Sequence, residues 1–444
     1  MSLFSNCGAG DIGFAQAGFT FEVMAEIDLR RLDVALLNHR GAIGIPGDLR
    51  HTLPQVVAAY RERAGDERPA LLAACPPCQG LSSAQSARGD AGDPDVGSRD
   101  RRNLLVSVIE EAVRRLRPRA LVVENVQAFL TRQVRLPVTN EPVSAARFLI
   151  ESLSADYEAF PILADLADFG VPQSRKRSFL TFFHKDEAGL AILHRKGWSP
   201  YPWPSHASGS QRPVTLEEAL RAFALPPLDA IAETQATSDI EMHTVPVWPA
   251  DRYRMISAIP PHSGRSAWEN DSCIKCGRKT RDRARVRCSG CGTILPRPIV
   301  YGKKPGDVPR LISGFHTSYR RMDPALPAAT VTTASGHLGS DRTVHPWENR
   351  VLSPLECALL QTFPGSFQWG DSMKRWGHTN VRIMIGEAVP PLFTRKHGRV
   401  LAQLLQTIPP RLALAADDHR VTAAQEALRR SARHVEADAA SHTG

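Results

Sequence analysis

The sequence contains no long apolar run, and its start has no basic segment followed by an apolar core. The first absence excludes a membrane-spanning helix, and the second gives no sign of a signal peptide. With 8 cysteines in 444 residues, the chain is not a disulfide scaffold. A share of 42% hydrophobic and 23% charged residues also excludes a mostly disordered, collagen-like or coiled-coil protein. We therefore expect a cytoplasmic, globular protein of two or three domains.

Positive charge is in excess, with 55 lysine and arginine residues against 46 aspartate and glutamate residues and a formal net charge of +9. A basic protein of this size is consistent with a polyanionic partner. It is equally consistent with an ordinary solvated surface. Charge alone leaves these two interpretations open.

The first half of the chain has the pattern of an α/β protein. Apolar residues recur at helical spacing over residues 103–116, and short apolar runs predict strands before and after that helix. Strands that alternate with helices predict a doubly wound, mostly parallel sheet with helices on both faces. The predicted strands lie at residues 1–5, 21–27, 70–74, 120–123 and 178–183.

The pattern changes after about residue 194. Residues 198–213 are rich in Pro, Ser and Trp, which predicts a linker or an irregular surface segment. Periodicity then stays weak, and basic residues stay dense, up to about residue 346. Helices are predicted again within residues 352–363 and 393–406, and the stretch after Asp417 is predicted to be helical with a fraying polar end.

A glycine-rich turn follows the first predicted strand, with glycines at Gly8 and Gly10. Glycine lets the backbone come close to a ligand, and the next residues can open a helix toward it. The second strand ends at Glu26, where an acidic residue commonly binds the ribose hydroxyls of an adenosine cofactor. Asp48 could accept a hydrogen bond from an adenine amino group. On these residues alone, a structural turn with surface acids is an equal alternative.

A cysteine motif follows the strand at residues 70–74. Two prolines stiffen the approach to Cys78, and a thiolate held at this edge of the sheet can act as a nucleophile. Two alternatives stay open at this point: Cys75 is the reactive thiol, or both cysteines are inert and buried.

Charged residues stand at the ends of two further strands. Glu124 ends one strand, and Arg175 and Arg177 precede another, so both lie near the expected edge of the sheet. A thiol, a carboxylate and two guanidinium groups would form a coherent site. Surface charge is the alternative for the arginines.

These motifs, taken in order, resemble those of the cytosine-5 DNA methyltransferase family. The resemblance covers about residues 1–185 and 349–405, and six short motifs in the family's usual order are far more specific than any one. The matching segments read LFSNCGAGDIGFAQAGF, PPCQG, ENV, QSRKR, RVLSPLECALLQTFP and GEAVPPL.

The resemblance implies a reaction. S-adenosylmethionine would supply a methyl group to C5 of a cytosine flipped out of double-stranded DNA. Cys78 would attack C6 of the ring, Glu124 would hold and protonate N3, Arg175 would bind O2, and Arg177 would support the site. The cofactor-binding residues implied by the motifs are Phe4, Gly8, Gly10, Glu26, Asp48, Leu49, Glu387 and Val389.

The sequence departs from the family pattern at several positions. Asn6 stands where the family usually has glycine, and asparagine tolerates the left-handed backbone region, so the turn is expected to survive. Glu387 stands where the family usually has asparagine, which adds a carboxylate near the expected cofactor pocket. The first strand is very short, and we hypothesise that the native start lies upstream.

Four cysteines form a strong metal signal in the weakly periodic region. Two CxxCG motifs supply four thiolates with a spacing typical of structural zinc, at Cys273, Cys276, Cys288 and Cys291. Coincidental free thiols are the alternative. The arginine-rich residues 278–287 between the motifs could bind phosphate or read guanine edges. A zinc site that only stabilises the local fold is an equal interpretation.

These observations lead to one expected organisation and a set of partners. We expect a Rossmann-like core at 1–190, a target-recognition domain with the zinc cluster at 191–348, a return to the core at 349–410, and a tail at 411–444. The expected partner is double-stranded DNA in the bacterial nucleoid. We expect a monomer of the restriction–modification or orphan type, with any cognate restriction endonuclease acting separately. The alternatives are a tRNA cytosine-5 methyltransferase and a non-catalytic zinc-ribbon DNA-binding protein.

Overall fold

The computed structural model describes residues 1–77, 105–135, 142–301, 308–313, 317–340 and 342–441. The strands are β1 (Ser2–Leu3), β2 (Val23–Glu26), β3 (Ile43–Pro46), β4 (Leu71–Ala74), β5 (Ala120–Asn125), β6 (Gln133–Arg135), β7 (Pro142–Ser144), β8 (Tyr157–Asp165), β9 (Lys176–His184), β10 (Trp198–Pro202), β11 (Ile299–Val300), β12 (Arg310–Leu311) and β13 (Ala413–Ala415). The helices are α1 (Ala9–Ala15), α2 (Leu29–Asn38), α3 (Leu49–Ala64), α4 (Leu105–Leu116), α5 (Ala145–Leu153), α6 (Gly189–Lys196), α7 (Leu216–Phe223), α8 (Glu233–Ala236), α9 (Ala250–Ser257), α10 (Pro354–Leu360), α11 (Ser372–Glu387), α12 (Pro391–Leu405) and α13 (His419–Ser441).

Seven of the described strands form one sheet in the order β3-β2-β1-β4-β5-β9-β8. The first five strands in this order are parallel, and β9 and β8 complete the sheet in antiparallel orientation. The short β1 lies between β2 and β4, with Ser2 opposite both Met24 and Ala73. The prediction of a mostly parallel sheet is therefore confirmed.

Helices cover both faces of this sheet, and alternate residues of each strand point to opposite faces. In β4, Leu72 packs with the core that contains residues of α3, α4, α5 and α13, whereas Leu71 packs with residues of α1, α2, α6 and α12. In β5, Leu121 and Val122 divide between the two cores in the same way. Burial on both faces explains why the central strands read as continuous apolar runs.

The region between α6 and α10 contains little regular structure in its described residues, as the weak periodicity predicts. Buried polar side chains connect its loops instead. The fully buried Arg321 donates hydrogen bonds to the carbonyl oxygens of Ile259 and His345, at 3.1 and 3.0 Å. Buried loop carbonyls must find donors, and one guanidinium group supplies several at once.

The predicted linker at residues 198–213 is wrong in its first part. Trp198–Pro202 forms β10, which pairs in antiparallel orientation with β13. Tyr201 is fully buried, and its hydroxyl donates to the carbonyl oxygen of Phe160 in β8. Residues 191–202 therefore pack with the sheet, beyond the predicted core boundary at residue 190.

The C-terminal stretch also packs on the sheet. The predicted helix is present as α13, and its apolar side chains Val421, Ala424 and Ala427 are buried. Arg420 forms an ion pair with Asp168 that ties the start of this helix to the short turn after β8. None of the described helices is both long enough and apolar enough to cross a membrane.

Candidate active site

A pocket opens at the carboxyl ends of the parallel strands β1, β4 and β5, which is where a doubly wound sheet binds its ligands. The loop after β1 forms one wall, and the segment after α11 forms another. Five of the site residues predicted from the sequence line this pocket: Phe4, Gly10, Glu124, Glu387 and Val389.

The segment between α11 and α12 packs closely against the glycine turn. Gly8 has a positive φ of 74°, and its N–H donates to the carbonyl oxygen of Ser5 at 2.9 Å. A Cβ at Gly10 would lie 3.2 Å from Cβ of Val389, so only glycine allows this close approach without a shift. Asn6 adopts a φ of 48°, which confirms that asparagine accommodates the left-handed turn.

Glu26 is directed at the same loop. This side chain is only 5% exposed, and its Oε2 accepts a hydrogen bond from the backbone N–H of Asn6 at 2.8 Å. Burial raises the pKa of Glu26, and the nearby Arg31 guanidinium opposes that rise. Glu26 therefore supports the glycine turn, although it does not itself line the described pocket.

Asp48 and Leu49 lie at the start of α3 and do not line the described pocket. Asp48 caps the helix by accepting the N–H of Arg50 at 3.0 Å, and the Arg50 side chain lowers the pKa of this carboxyl group. The Leu49 side chain is buried in the core beneath the sheet. Gly8 also lies outside the pocket lining.

Glu387 has a specific partner that no motif predicted. Its Oε2 lies 2.7 Å from Nη1 of Arg31, which is carried by the first turn of α2. The same Nη1 atom lies 3.9 Å from Oε1 of Glu26. The extra carboxylate is thus neutralised in place by a residue from a neighbouring helix.

Glu124 is one of the buried carboxylates that line the pocket, together with Asp11. Its Oε1 is inaccessible and accepts no hydrogen bond among the described residues. Nε of Arg177 lies 3.0 Å from this oxygen. The two groups form an ion pair, but the N–H of Arg177 does not point at the oxygen as a hydrogen bond requires. A buried acceptor without a donor is costly unless a ligand supplies one.

Arg175 occupies a different environment from Arg177. Its side chain is fully buried, and it donates to the carbonyl oxygens of Val331 and Gly386, at 3.2 and 3.0 Å. Its backbone N–H donates to Asp165 at 2.9 Å. The Arg175 guanidinium connects β9 with α11 and with the irregular region, whereas the Arg177 guanidinium contacts Glu124.

Cys78 lies outside the described residues. Cys75 lines the pocket, but burial raises the pKa of its thiol well above the usual value, and the adjacent Glu124 carboxylate raises it further. A thiol held protonated is a poor nucleophile, which disfavours Cys75 as the reactive cysteine. Nδ2 of Asn125 donates to the carbonyl oxygen of Pro76 at 2.9 Å and so anchors the segment that leads to Cys78.

The four cysteines of the CxxCG motifs converge. Their Sγ atoms all lie within 4.8 Å of one another. The closest pairs are Cys273 with Cys291 at 3.6 Å and Cys276 with Cys288 at 3.5 Å. Thiolates bound to one tetrahedral zinc ion at about 2.3 Å would be separated by roughly 3.8 Å.

The two cysteine motifs form equivalent turns. The N–H groups of Gly277 and Gly292 donate to the carbonyl oxygens of Cys273 and Cys288, at 2.9 and 3.0 Å. Both glycines have positive φ values, 70° and 72°, which other residues rarely adopt. The repeated CxxCG spacing therefore encodes two copies of one ligand-bearing turn.

Sequence reasoning missed three residues that organise these sites. Arg31 neutralises Glu387, Asn125 anchors the Pro76 segment, and Arg297 supports the basic loop between the cysteine motifs. Only Asn125 had a local signal, because it adjoins Glu124 in the ENV motif. The other two act across long sequence separations that carry no motif.

A doubly wound sheet with a glycine turn and an acidic residue at the end of β2 defines an α/β enzyme that binds a nucleoside cofactor. Residues 1–403 match the C-5 cytosine-specific DNA methylase family, and the chain belongs to this family. It is a DNA (cytosine-5) methyltransferase that uses S-adenosylmethionine.

Known relatives cover nearly the whole chain. The Type II methyltransferase M1.HgaI of Avibacterium volantium is 26% identical over 406 residues, which span 88% of this chain and 94% of the relative. The Type II methyltransferase M.DdeI of Desulfomicrobium norvegicum is 26% identical, over 89% of this chain and 86% of the relative. A solved prophage-encoded DNA modification methyltransferase of E. coli shares the fold with a TM-score of 0.52 and 20% identity, covering 91% of this chain and 98% of the other.

Proposed function

We propose that the described pocket holds S-adenosylmethionine beside the β1 loop and the flipped cytosine beside Glu124. The observation that carries this proposal is the buried Oε1 of Glu124, which receives no hydrogen bond from the residues that the structure describes and lies 3.0 Å from Nε of Arg177. The residues also suit the cofactor. Oδ1 of Asn6 is a second buried acceptor without a partner in the pocket lining, and Glu26 offers a carboxylate for ribose hydroxyls.

The side chains divide the catalytic work. S-adenosylmethionine, when bound, supplies the methyl group. The Cys78 thiolate, whose proton has gone to solvent, forms a bond to C6 of the cytosine. After C5 has taken the methyl group, water removes the C5 proton and the C6–S bond breaks, which returns the thiolate. Glu124 holds the N3 edge and passes a proton to it, which makes C6 electrophilic.

We assign the contact with cytosine O2 to Arg177 rather than to Arg175. The Arg177 guanidinium lies against Glu124 in the pocket region, so it can donate to an oxygen next to N3. Arg175 already donates to two backbone carbonyl oxygens and is fully buried. In this assignment Arg175 connects structural segments and does not touch the base.

Methylation mapping tests this proposal. The chain is expressed in a host free of cytosine methylation, and its DNA is sequenced at base resolution. We expect 5-methylcytosine at one short motif, and none in Cys78→Ser or Glu124→Gln. Glu158→Gln is the matched control, because Glu158 of β8 pairs with the exposed His194 of α6, and neither residue lines the pocket. Full methylation by Cys78→Ser or Glu124→Gln would overturn the assigned roles.

We further propose that Cys273, Cys276, Cys288 and Cys291 bind one structural zinc ion. The support is the Sγ spacing of 3.5 to 3.6 Å in the closest pairs and the paired glycine turns. All four ligand positions would be filled by thiolates, so this zinc would shape the fold and take no part in catalysis. Metal analysis of purified, active protein is expected to find one zinc per chain, and a clearly lower content would refute the site.

The zinc module is proposed to present a basic loop to DNA. Nη1 of the buried Arg297 donates to the carbonyl oxygens of Asp282, Arg283 and Arg285, which holds the loop in one shape. The loop's arginine side chains are exposed, as phosphate contacts require.

The salt dependence of DNA affinity tests this loop. Replacing Arg281, Arg283 and Arg285 by alanine is expected to lower the slope of log affinity against log salt by roughly 1 to 3. The matched control replaces Arg40, Arg195 and Arg429, which are equally exposed on the helical core. Equal slopes for the two triple variants would contradict the proposal.

The chain organisation and partners follow from these assignments. We infer a catalytic core from residues 1–202 and 349–441, with the intervening region as the target-recognition domain. The relatives are Type II methyltransferases, which supports a role in restriction–modification, with a monomer acting in the nucleoid apart from any endonuclease. Sedimentation of the free protein and of its DNA complex tests the monomer.

A further inference from the structure

Three carboxylates converge on one cation at the rim of the pocket. Arg31 lies 2.7 Å from Glu387, and 3.9 Å from both Glu26 and Asp28, measured between the closest nitrogen and oxygen atoms. These residues come from the end of β2, the start of α2 and the end of α11. Arg30, the neighbour of Arg31, pairs instead with Asp28 and with Asn380 of α11.

The two departures from the family pattern meet at this point. Nδ2 of Asn6 donates to the carbonyl oxygen of Met384 at 2.9 Å, in the last turn of α11, and Glu387 ends the same helix. The backbone N–H of Asn6 donates to Glu26. Asn6 and Glu387 thus join the cofactor loop, the end of β2 and the end of α11 into one cluster around Arg31.

The charge balance of this cluster depends on Arg31. Glu26 is almost fully buried, and Glu387 is 23% exposed, so two carboxylates at short range repel each other in a poorly solvated place. The charged groups that act on Glu26 are Arg31 and Glu387, with Asp28 beside them. Removal of the only cation among these groups would leave Glu26 to take up a proton or to move.

We propose that Arg31 is a positioning residue for cofactor binding, which this chain needs because Glu387 places a second carboxylate beside Glu26. Arg31 keeps Glu26 ionised and directed at the loop, so that Glu26 can accept hydrogen bonds from the cofactor ribose. The inference rests on the proposed cofactor site. It states that the need for Arg31 depends on the presence of Glu387.

Calorimetric binding of S-adenosylmethionine, without DNA, tests this dependence. Arg31→Met is expected to weaken binding about tenfold, and Glu387→Asn by less than about threefold. The double variant is expected to bind within about threefold of Glu387→Asn, because the repulsion is gone. Arg31→Lys keeps the cation and should stay near the wild type. The matched control is Arg30→Met, which removes a neighbouring guanidinium from the same helix.

The pH dependence of binding distinguishes this role from simple structural support. A carboxylate that binds the cofactor when ionised loses affinity as the pH falls through its pKa. Because Arg31→Met raises the pKa of Glu26, the loss of binding should move to higher pH, and Glu387→Asn should reverse that shift. If Arg31→Met does not fold, Glu387→Asn alone is compared with the wild type. Its loss of binding should move to lower pH, since one source of repulsion is absent.

Three results would decide against the inference. The first is equal cofactor affinity of Arg31→Met and Arg30→Met. The second is a loss of affinity in the double variant that equals the sum of the two single losses. The third is a pH profile of cofactor binding by Glu387→Asn that does not move to lower pH. Absence of S-adenosylmethionine binding by the wild type would instead remove the proposed cofactor site on which the inference rests.

Discussion

Arg177 Nε lies 3.0 Å from Glu124 Oε1, although the two residues are 53 positions apart. Antiparallel pairing of β5 with β9 produces this contact. Asn125 at the end of β5 is opposite Ser178 near the start of β9, so the residues that flank this pair meet at the same edge of the sheet. The acid motif and the arginine motif therefore meet in one unit of the proposed active site.

Arg177→Met is expected to lower the single-turnover methylation rate by about 100-fold or more, because both Glu124 and the base lose a charged partner. Affinity for S-adenosylmethionine and the melting temperature should change little, since this side chain is partly exposed and its hydrogen bond goes to the carbonyl oxygen of the neighbouring Lys176. Rapid-quench methylation assays measure the rate. A rate within a few-fold of the wild type would contradict the assignment of Arg177 to the base.

Arg175→Met is expected to act mainly on stability. It removes the donors to the carbonyl oxygens of Val331 and Gly386 in a fully buried place. The free energy of unfolding should fall by about 2–4 kcal/mol, because two buried acceptors lose their partners. Chemical denaturation measures this loss, with Arg177→Met as the comparison. Equal stability of the two variants would show that Arg175 does not connect these segments.

Asn125→Ala should slow methylation about tenfold through the loss of one anchoring hydrogen bond to Pro76. Pro76 precedes Cys78 by two residues, so a looser segment positions the thiol less well. Cofactor affinity should be unchanged. The effect is measured as the rate at which the protein forms a trapped covalent complex with DNA that carries a mechanism-based cytosine analogue. Formation at the wild-type rate would exclude a positioning role for Asn125.

Zinc removal is expected to separate DNA binding from cofactor binding. A chelator that extracts the metal should abolish sequence-specific DNA binding, because the Cys273–Cys291 module would lose its fold. The sheet and its pocket are built from other residues, so S-adenosylmethionine should still bind. Gel-shift and calorimetric assays on the same sample measure both. If DNA binding and S-adenosylmethionine binding were lost together, the cysteine cluster would be needed for the stability of the core, and the prediction would be wrong.

Glu356 should contribute to acid sensitivity. Burial alone would raise its pKa, but the ion pair with Arg350, at 2.6 and 2.8 Å, outweighs burial and lowers the pKa to about 2. The resulting stabilisation, on the order of 3 kcal/mol, is present above the unfolded-state pKa and is lost as the pH falls from about 4.5 towards 2. Glu356→Gln should therefore be less stable at neutral pH and lose less stability below pH 4.5.

A matched exposed pair provides the control for Glu356. The Arg212 side chain also lowers the pKa of Glu218 to about 2, but both side chains of this pair are exposed to solvent. Solvent screens such a pair, so Glu218→Gln should leave the acid unfolding curve almost unchanged. Identical curves for Glu356→Gln and Glu218→Gln would contradict the role of the buried pair. Acid titration followed by circular dichroism measures both.

Local patterns in the sequence predicted the elements of the core well. The apolar residues of α4 and the runs of β4 and β5 lie where periodicity placed them, because each forms a face that must be buried. Periodicity did not identify β10. Its pairing with β13 joins segments more than 200 residues apart, and its prolines and tryptophan resemble a loop when read locally.

The sequence alone supplied the residues on which the proposed chemistry rests: a glycine turn, the Cys78, Glu124 and arginine motifs, and four cysteines at a spacing typical of metal sites. These signals are local, because a turn or a ligand pair depends on residues a few positions apart. Only the tertiary structure decided which arginine contacts Glu124, that Glu387 is paired with Arg31, and that burial raises the pKa of the Cys75 thiol. Those properties depend on burial and on charges brought together from distant segments, which no local pattern records.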